Sequence, residues 1–204
     1  MKALCCWVGV AAALWFMMFA PWTAPHVDFW TAMSCSGVLL GGVALVVGRP
    51  WPAHDRRIWL ELAFGVALAV VLWGVFWLGD KVSQLFFGFA RGQVDAIYSL
   101  GEGAARWRVG ALLLFVIGPA EELFWRGYVQ RRLSERLGVW GGFALATAAY
   151  TLIHVWSFNF MRVGAAGVCG VCWGGLYALF PRHFPALLLS HALWDVAAFV
   201  VFPF

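Results

Sequence analysis

Gly118-Pro119-Ala120-Glu121-Glu122-Leu123-Phe124-Trp125-Arg126-Gly127 decides how this chain is read. It sets two acids and an arginine inside an apolar run from Val109 to Val129. Charged side chains within a bilayer are costly, so they face a bundle interior or a watery cavity and mark a functional site. Glu122 and Arg126 are four residues apart, so one helical face holds them as an ion pair. Glu121 is turned about 100° away at 3.6 residues per turn. One arginine does not neutralise two adjacent acids, so the surplus carboxylate at Glu121 needs another partner. It either points into a cavity as a base or joins Glu122 around Arg126 in a helix-packing cluster.

The surrounding composition supports a membrane setting. Of 204 residues, 63% are hydrophobic and 12% charged, with 14 Trp and 18 Phe; mean hydropathy is +0.82. That is far from an ordinary soluble domain. A helical span takes roughly 20 apolar residues. The runs Ala3 to Ala20, Phe29 to Val47, Ile58 to Gly79, Val109 to Val129, Val139 to Trp156, Val163 to Phe180 and Pro185 to Phe204 meet that scale. The expected fold is therefore all-α, a polytopic membrane protein of about seven transmembrane helices around an intramembrane cavity, in a single domain over residues 1–204. Breaks are expected at Pro21 and Pro25, at Gly48-Arg49-Pro50 with Pro52, at Gly138, and at Pro181 with Pro185.

The formal net charge is +4, and the basic residues gather in short segments between apolar runs, as at Arg56-Arg57 and Arg131-Arg132. That pattern fits membrane topology and not a nucleic-acid partner. An amino terminus in the cytoplasm puts Lys2, Arg49, Arg56, Arg57, Arg131, Arg132, Arg136 and Arg182 on the positive side. Lys2 to Ala20 reads as a retained first helix rather than a cleaved signal peptide, because further spans follow it. Asp80 to Arg108 is the longest polar interval. Its Val82, Leu85, Phe86, Phe89 and Val94 suit an amphipathic interfacial helix or lid, or a connecting loop with apolar contacts. The five cysteines lie within apolar stretches and give no disulfide framework.

Two further runs carry groups able to do chemistry. His154 closes Tyr150-Thr151-Leu152-Ile153-His154, with Tyr150 one turn back on the same face, able to orient the ring. By itself such a histidine is more often a hydrogen-bonded core residue than a catalyst. His191 and Asp195, four apart in the last run, project from one face and either neutralise each other or serve a developing oxyanion. At about 1.5 Å rise per residue, Glu121 lies roughly 15 Å deep, His191 about 9 Å, Asp195 about 15 Å and His154 near 22 Å. His154 is the outlier unless its helix begins late, around Gly141-Gly142.

Glu-Glu-x-x-x-Arg, aromatic-x-x-x-His and His-x-x-x-Asp, in this order on successive apolar segments, resemble the CPBP family of intramembrane endopeptidases. That family includes CAAX prenyl endopeptidases and bacterial relatives associated with bacteriocin processing or immunity. The resemblance covers roughly Ala105 to Phe204, making 105–204 the catalytic core and 1–104 accessory helices plus an interfacial segment. It implies that Glu121 and His154 activate a water, that Glu122 and Arg126 support the first motif, and that His191 with Asp195 stabilise the tetrahedral intermediate. Tyr150 stands where Phe is usual, and Asp195 where eukaryotic enzymes favour Asn.

The expected activity is thus hydrolysis of a membrane-associated protein or peptide, in a multi-pass protein of a bacterial inner membrane, with roles in protein sorting or peptide maturation. No cofactor is expected, although Glu, His and Asp are all metal-ligand types and a divalent metal stays open. Cys169-x-x-Cys172 lies in a Gly-rich helix, and Gly170-x-x-x-Gly174 favours close helix packing there over zinc. A noncatalytic immunity or scaffold protein and a proton-coupled transport module are the competing classes. The sequence leaves the substrate and the oligomeric state open.

Overall fold

In lipid the backbone must satisfy its own polar groups, and the apolar runs become helices for that reason. The computed structural model describes residues 1–48 and 57–204, so the expected break at Arg49, Pro50 and Pro52, and the basic Arg49 and Arg56, lie outside the described residues. The helices are α1 (Lys2–Phe19), α2 (Phe29–Val43), α3 (Ile58–Phe86), α4 (Ala90–Tyr98), α5 (Arg106–Leu112), α6 (Gly118–Glu122), α7 (Arg131–Leu152), α8 (Phe160–Leu179) and α9 (Phe184–Val196). Among the described residues the regular structure is entirely helical.

Among the described residues, five helical stretches are long and apolar enough to cross a membrane: Lys2–Phe19, Phe29–Gly48, Ile58–Phe86, Phe160–Leu179 and Pro181–Val201. The chain is a multi-pass membrane protein. The two other expected spans are helical but segmented, so seven is an approximate count. From Arg106 the chain winds through α5 and α6 with π-helical turns at Leu113–Ile117 and Leu123–Gln130. Such bulges occur frequently at functional sites, and these two bracket the acidic pair. The following helix, α7, breaks at Gly138, whose φ of 75° suits a residue without Cβ.

Asp80 does not start a polar connection. Helix α3 continues through it to Phe86, with Asp80 buried and its Oδ2 accepting from Gln84 Nε2 at 2.6 Å and from Lys81 Nζ at 3.0 Å. Only α4 and the turn after it are separate, and they are tied down. Gln93 receives Asn159 Nδ2 at 2.8 Å and Met161 N at 3.0 Å, while Trp30 Nε1 donates to Leu100 O at 2.8 Å. Residues 90–101 therefore form a roof over the start of α8.

Caps fix where helices begin. Asp28 accepts from Thr31 N at 2.9 Å, and Asn159 accepts from Arg162 N at 2.9 Å. Close crossings then bring the polar residues together. A Cβ at Gly118 would sit 2.8 Å from Ala192 Cα, so α6 and α9 meet at a contact that only glycine permits. Across α7 and α8, Thr147 Oγ1 donates to Gly170 O at 3.2 Å and Gln130 Nε2 to Gly174 O at 2.7 Å. The glycine-spaced face of α8 is a packing face.

Candidate active site

Glu122 is the centre of a buried charge cluster. It is fully buried, and its Oε1 meets Arg126 at 2.9 Å from its own segment and His191 Nδ1 at 2.8 Å from α9. Arg126 is spent on the fold. Its second amine donates to Cys169 O at 3.1 Å, and its guanidinium lies 4.8 Å from the Tyr150 ring centroid. His191 stacks on Trp173 at 3.9 Å and 15°, and Trp173 is anchored through Ser190 Oγ at 2.8 Å. Three helices thus lock one imidazole in place. With Nδ1–H given to Glu122, the opposite nitrogen faces Asp195 Oδ1 at 3.7 Å.

Glu121, one residue earlier, is free of that cluster. Its Oε2 accepts from Tyr150 hydroxyl at 2.8 Å. Tyr150 also serves His154, through its backbone: the carbonyl accepts from His154 Nδ1 at 2.8 Å. Tyr150 thus meets His154 through its carbonyl and, at 5.1 Å between centroids, its ring, while its hydroxyl holds Glu121. His154 itself lies past the end of α7, which stops at Leu152, in a turn that leads to Phe158 at φ 49°. The helix therefore resumes directly after Gly138 and does not start late at Gly141-Gly142.

Glu121, His154, His191 and Asp195 all line one cavity of about 160 Å³. The six residues expected from sequence are brought together, four at the cavity and two, Glu122 and Arg126, behind it. Among the described residues, no three His, Cys, Asp or Glu side chains converge to hold a metal ion. Cys169 and Cys172 are free thiols.

Residues 103–197 match the family model for Rce1-like proteins, type II CAAX prenyl endopeptidase Rce1-like. The matched stretch, just under half of the 204 residues, is similar to an Rce1-like domain. The match supports a CAAX-protease-like intramembrane endopeptidase and bears out the resemblance read from Glu121 to Asp195. Neither the curated proteins nor the solved structures compared with the chain gave a match.

One contact at the cavity comes from outside the Rce1-like stretch. Trp15 of α1, 1% exposed, donates its indole N–H to His154 Nε2 at 3.0 Å. Both ring nitrogens of His154 are thereby occupied, which fixes a neutral ring protonated at Nδ1. Phe19, one turn on, lies 6.0 Å from the same imidazole. Sequence reasoning missed Trp15. The available signal was an indole in the interior of an apolar helix, where its N–H must find an acceptor.

Proposed function

We propose that the chain is an intramembrane endopeptidase that cleaves a peptide bond of a membrane-associated protein or peptide with water activated by Glu121 and His154. One observation carries this reading: a free carboxylate, two imidazoles and a second carboxylate face a single cavity while Arg126 and Glu122 neutralise each other behind it. Peptide hydrolysis needs a base for water, an acid for the leaving amine and donors for the oxyanion. Glu121 takes a proton from water as the water oxygen bonds to the carbonyl carbon and the carbonyl electron pair moves to oxygen. That proton then passes to the amide nitrogen as the C–N bond breaks. His191, held between Glu122 and Asp195, is the group set toward the oxyanion, and it donates there when its ring carries both protons. A bacterial inner membrane and a role in protein sorting or peptide maturation are the setting we propose.

The test is membrane and secreted-peptide proteomics of cells carrying wild type or Glu121→Gln. A precursor should accumulate in the variant, with processing reduced by about 10²–10⁴-fold for a lost general base. Normal processing by a folded Glu121→Gln protein overturns the mechanism. Indifference to His154→Ala as well would favour a noncatalytic scaffold.

A further inference from the structure

A second cavity, of about 340 Å³, lies beside the catalytic one and takes no part in the proposed reaction. It lies between the end of α3, α4, α8 and α9, and Trp194 and Phe199 stand in the wall common to both cavities. Its volume falls in the range of small-molecule sites, about 300–1,000 Å³. Phe87 and Phe160, both exposed and 5.6 Å apart between ring centroids, mark its mouth, while Asp80 and Trp194 are buried in its inner wall. Among the described residues that line it, Asp80 is the one charged side chain.

Asp80 is 5% exposed, yet only one of its oxygens is used. Gln84 and Lys81 both bond Oδ2, whereas Oδ1 is buried with no hydrogen-bond partner among the described residues. The Lys81 side chain is 46% exposed, and an ion pair so open to water does little to satisfy a buried carboxylate. By helix rise, Asp80 lies about 33 Å beyond Ile58 on α3. A hydrocarbon core is about 30 Å thick, so the carboxylate stands at a membrane boundary, where the head of an amphiphile rests while its chain lies in lipid.

We infer that this cavity binds an amphiphile headed by an ammonium group, with Asp80 Oδ1 as acceptor and Phe76, Tyr98 and Trp194 among the aromatic residues around it. A purely apolar occupant would leave Oδ1 unpaired, and an anionic head would be repelled. A hydroxyl would satisfy the oxygen but gain little from the rings. An ammonium is attracted by the carboxylate and by aromatic faces together. Such a head belongs to an aminophospholipid or to a free alkylamine. The inference does not depend on the endopeptidase reading.

The test measures binding by the full chain in dodecyl maltoside at pH 7, a detergent with neither amine nor charge. Two photoreactive probes share a ten-carbon diazirine chain, one ending in an ammonium group and the other in a hydroxyl. Labelling of the peptide that carries Phe160 is titrated by mass spectrometry. Asp80→Asn keeps the side-chain shape and should weaken ammonium labelling by about 10- to 100-fold, the range for a hydrogen bond to a charged group, with hydroxyl labelling unchanged. Gly164→Leu fills the cavity from α8, where an added Cβ meets nothing within 4 Å, and should block both probes. If Asp80→Asn does not fold, a wild-type preference for the ammonium probe and its loss in Gly164→Leu decide. Competition by phosphatidylethanolamine assigns the site to a lipid headgroup, and competition by decylammonium alone assigns it to a free amine; either supports the inference. Competition by neither, absence of labelling at Phe160, or ammonium labelling that survives Asp80→Asn overturns it.

Discussion

Trp15→Phe tests the resting state of the site most directly. His154 Nδ1 is held by Tyr150 O at 2.8 Å, so Nε2 is the ring's remaining lone pair, and the Trp15 indole covers it at 3.0 Å. Water binds His154 only when that N–H withdraws. Phenylalanine keeps an aromatic edge against the imidazole, while Tyr150 O, the Tyr150 ring at 5.1 Å and Phe19 at 6.0 Å continue to orient it. What is removed is one neutral hydrogen bond, worth about 0.5–1.5 kcal/mol net. At about 1.4 kcal/mol per tenfold in rate, uncapping should raise kcat by about 2- to 12-fold.

The assay is cleavage of a quenched fluorescent peptide by purified protein in nanodiscs, alongside thermal unfolding to score the cost of the smaller ring. A second readout is chemical. Carbethoxylation of His154 by diethylpyrocarbonate, followed by mass spectrometry, reports the accessibility of Nε2 and should accelerate in the variant. A fall in kcat without faster modification, in a protein that still unfolds cooperatively, would refute the cap and make Trp15 a packing residue.

Two other perturbations probe the surroundings. Glu122→Ala leaves Arg126 and His191 buried without their shared carboxylate, and breaking such a buried pair costs about 3–5 kcal/mol; unfolding should move to markedly lower temperature, whereas Glu121→Gln should shift it little. The Asp28 carboxyl is held below its ordinary value chiefly by its hydrogen bond with Thr31. A depressed folded value means this cap contributes above the unfolded value of 3.8 and is lost as pH falls through the folded value below it. Hydrogen exchange at the Thr31 amide should therefore lose protection in that acid window, and Asp28→Ala should abolish the pH dependence.

What sequence made legible was whatever lies along one helix. Glu122 with Arg126 followed from a four-residue spacing, and they meet at 2.9 Å. His191 and Asp195 shared a face by the same rule, though at 3.7 Å the contact is looser. Contacts between helices carried no comparable signal. Glu122 with His191 and Trp15 with His154 span 69 and 139 residues of chain, and no local periodicity encodes them. They depend on which helices cross closely, as α6 and α9 do at Gly118. His154 shows another limit: it lies past the end of α7 at Leu152, in a turn that helical periodicity does not encode.

Tyr150 explains why the two adjacent acids separate in role. Glu122 points to the side where α9 supplies His191, and its charge is answered there by Arg126. Glu121, a third of a turn away, meets α7 instead and accepts from the neutral Tyr150 hydroxyl. A hydroxyl steers a carboxylate without neutralising it, so Glu121 keeps an oxygen for water while its orientation is fixed. Because the same residue's carbonyl sets His154, any motion of the end of α7 moves the proposed base and its partner together. Trp15 joins α1 to that same end. The geometry of the pair therefore depends on an amino-terminal helix beyond the matched domain, and replacing α1 should disturb catalysis even where residues 103–197 fold unchanged.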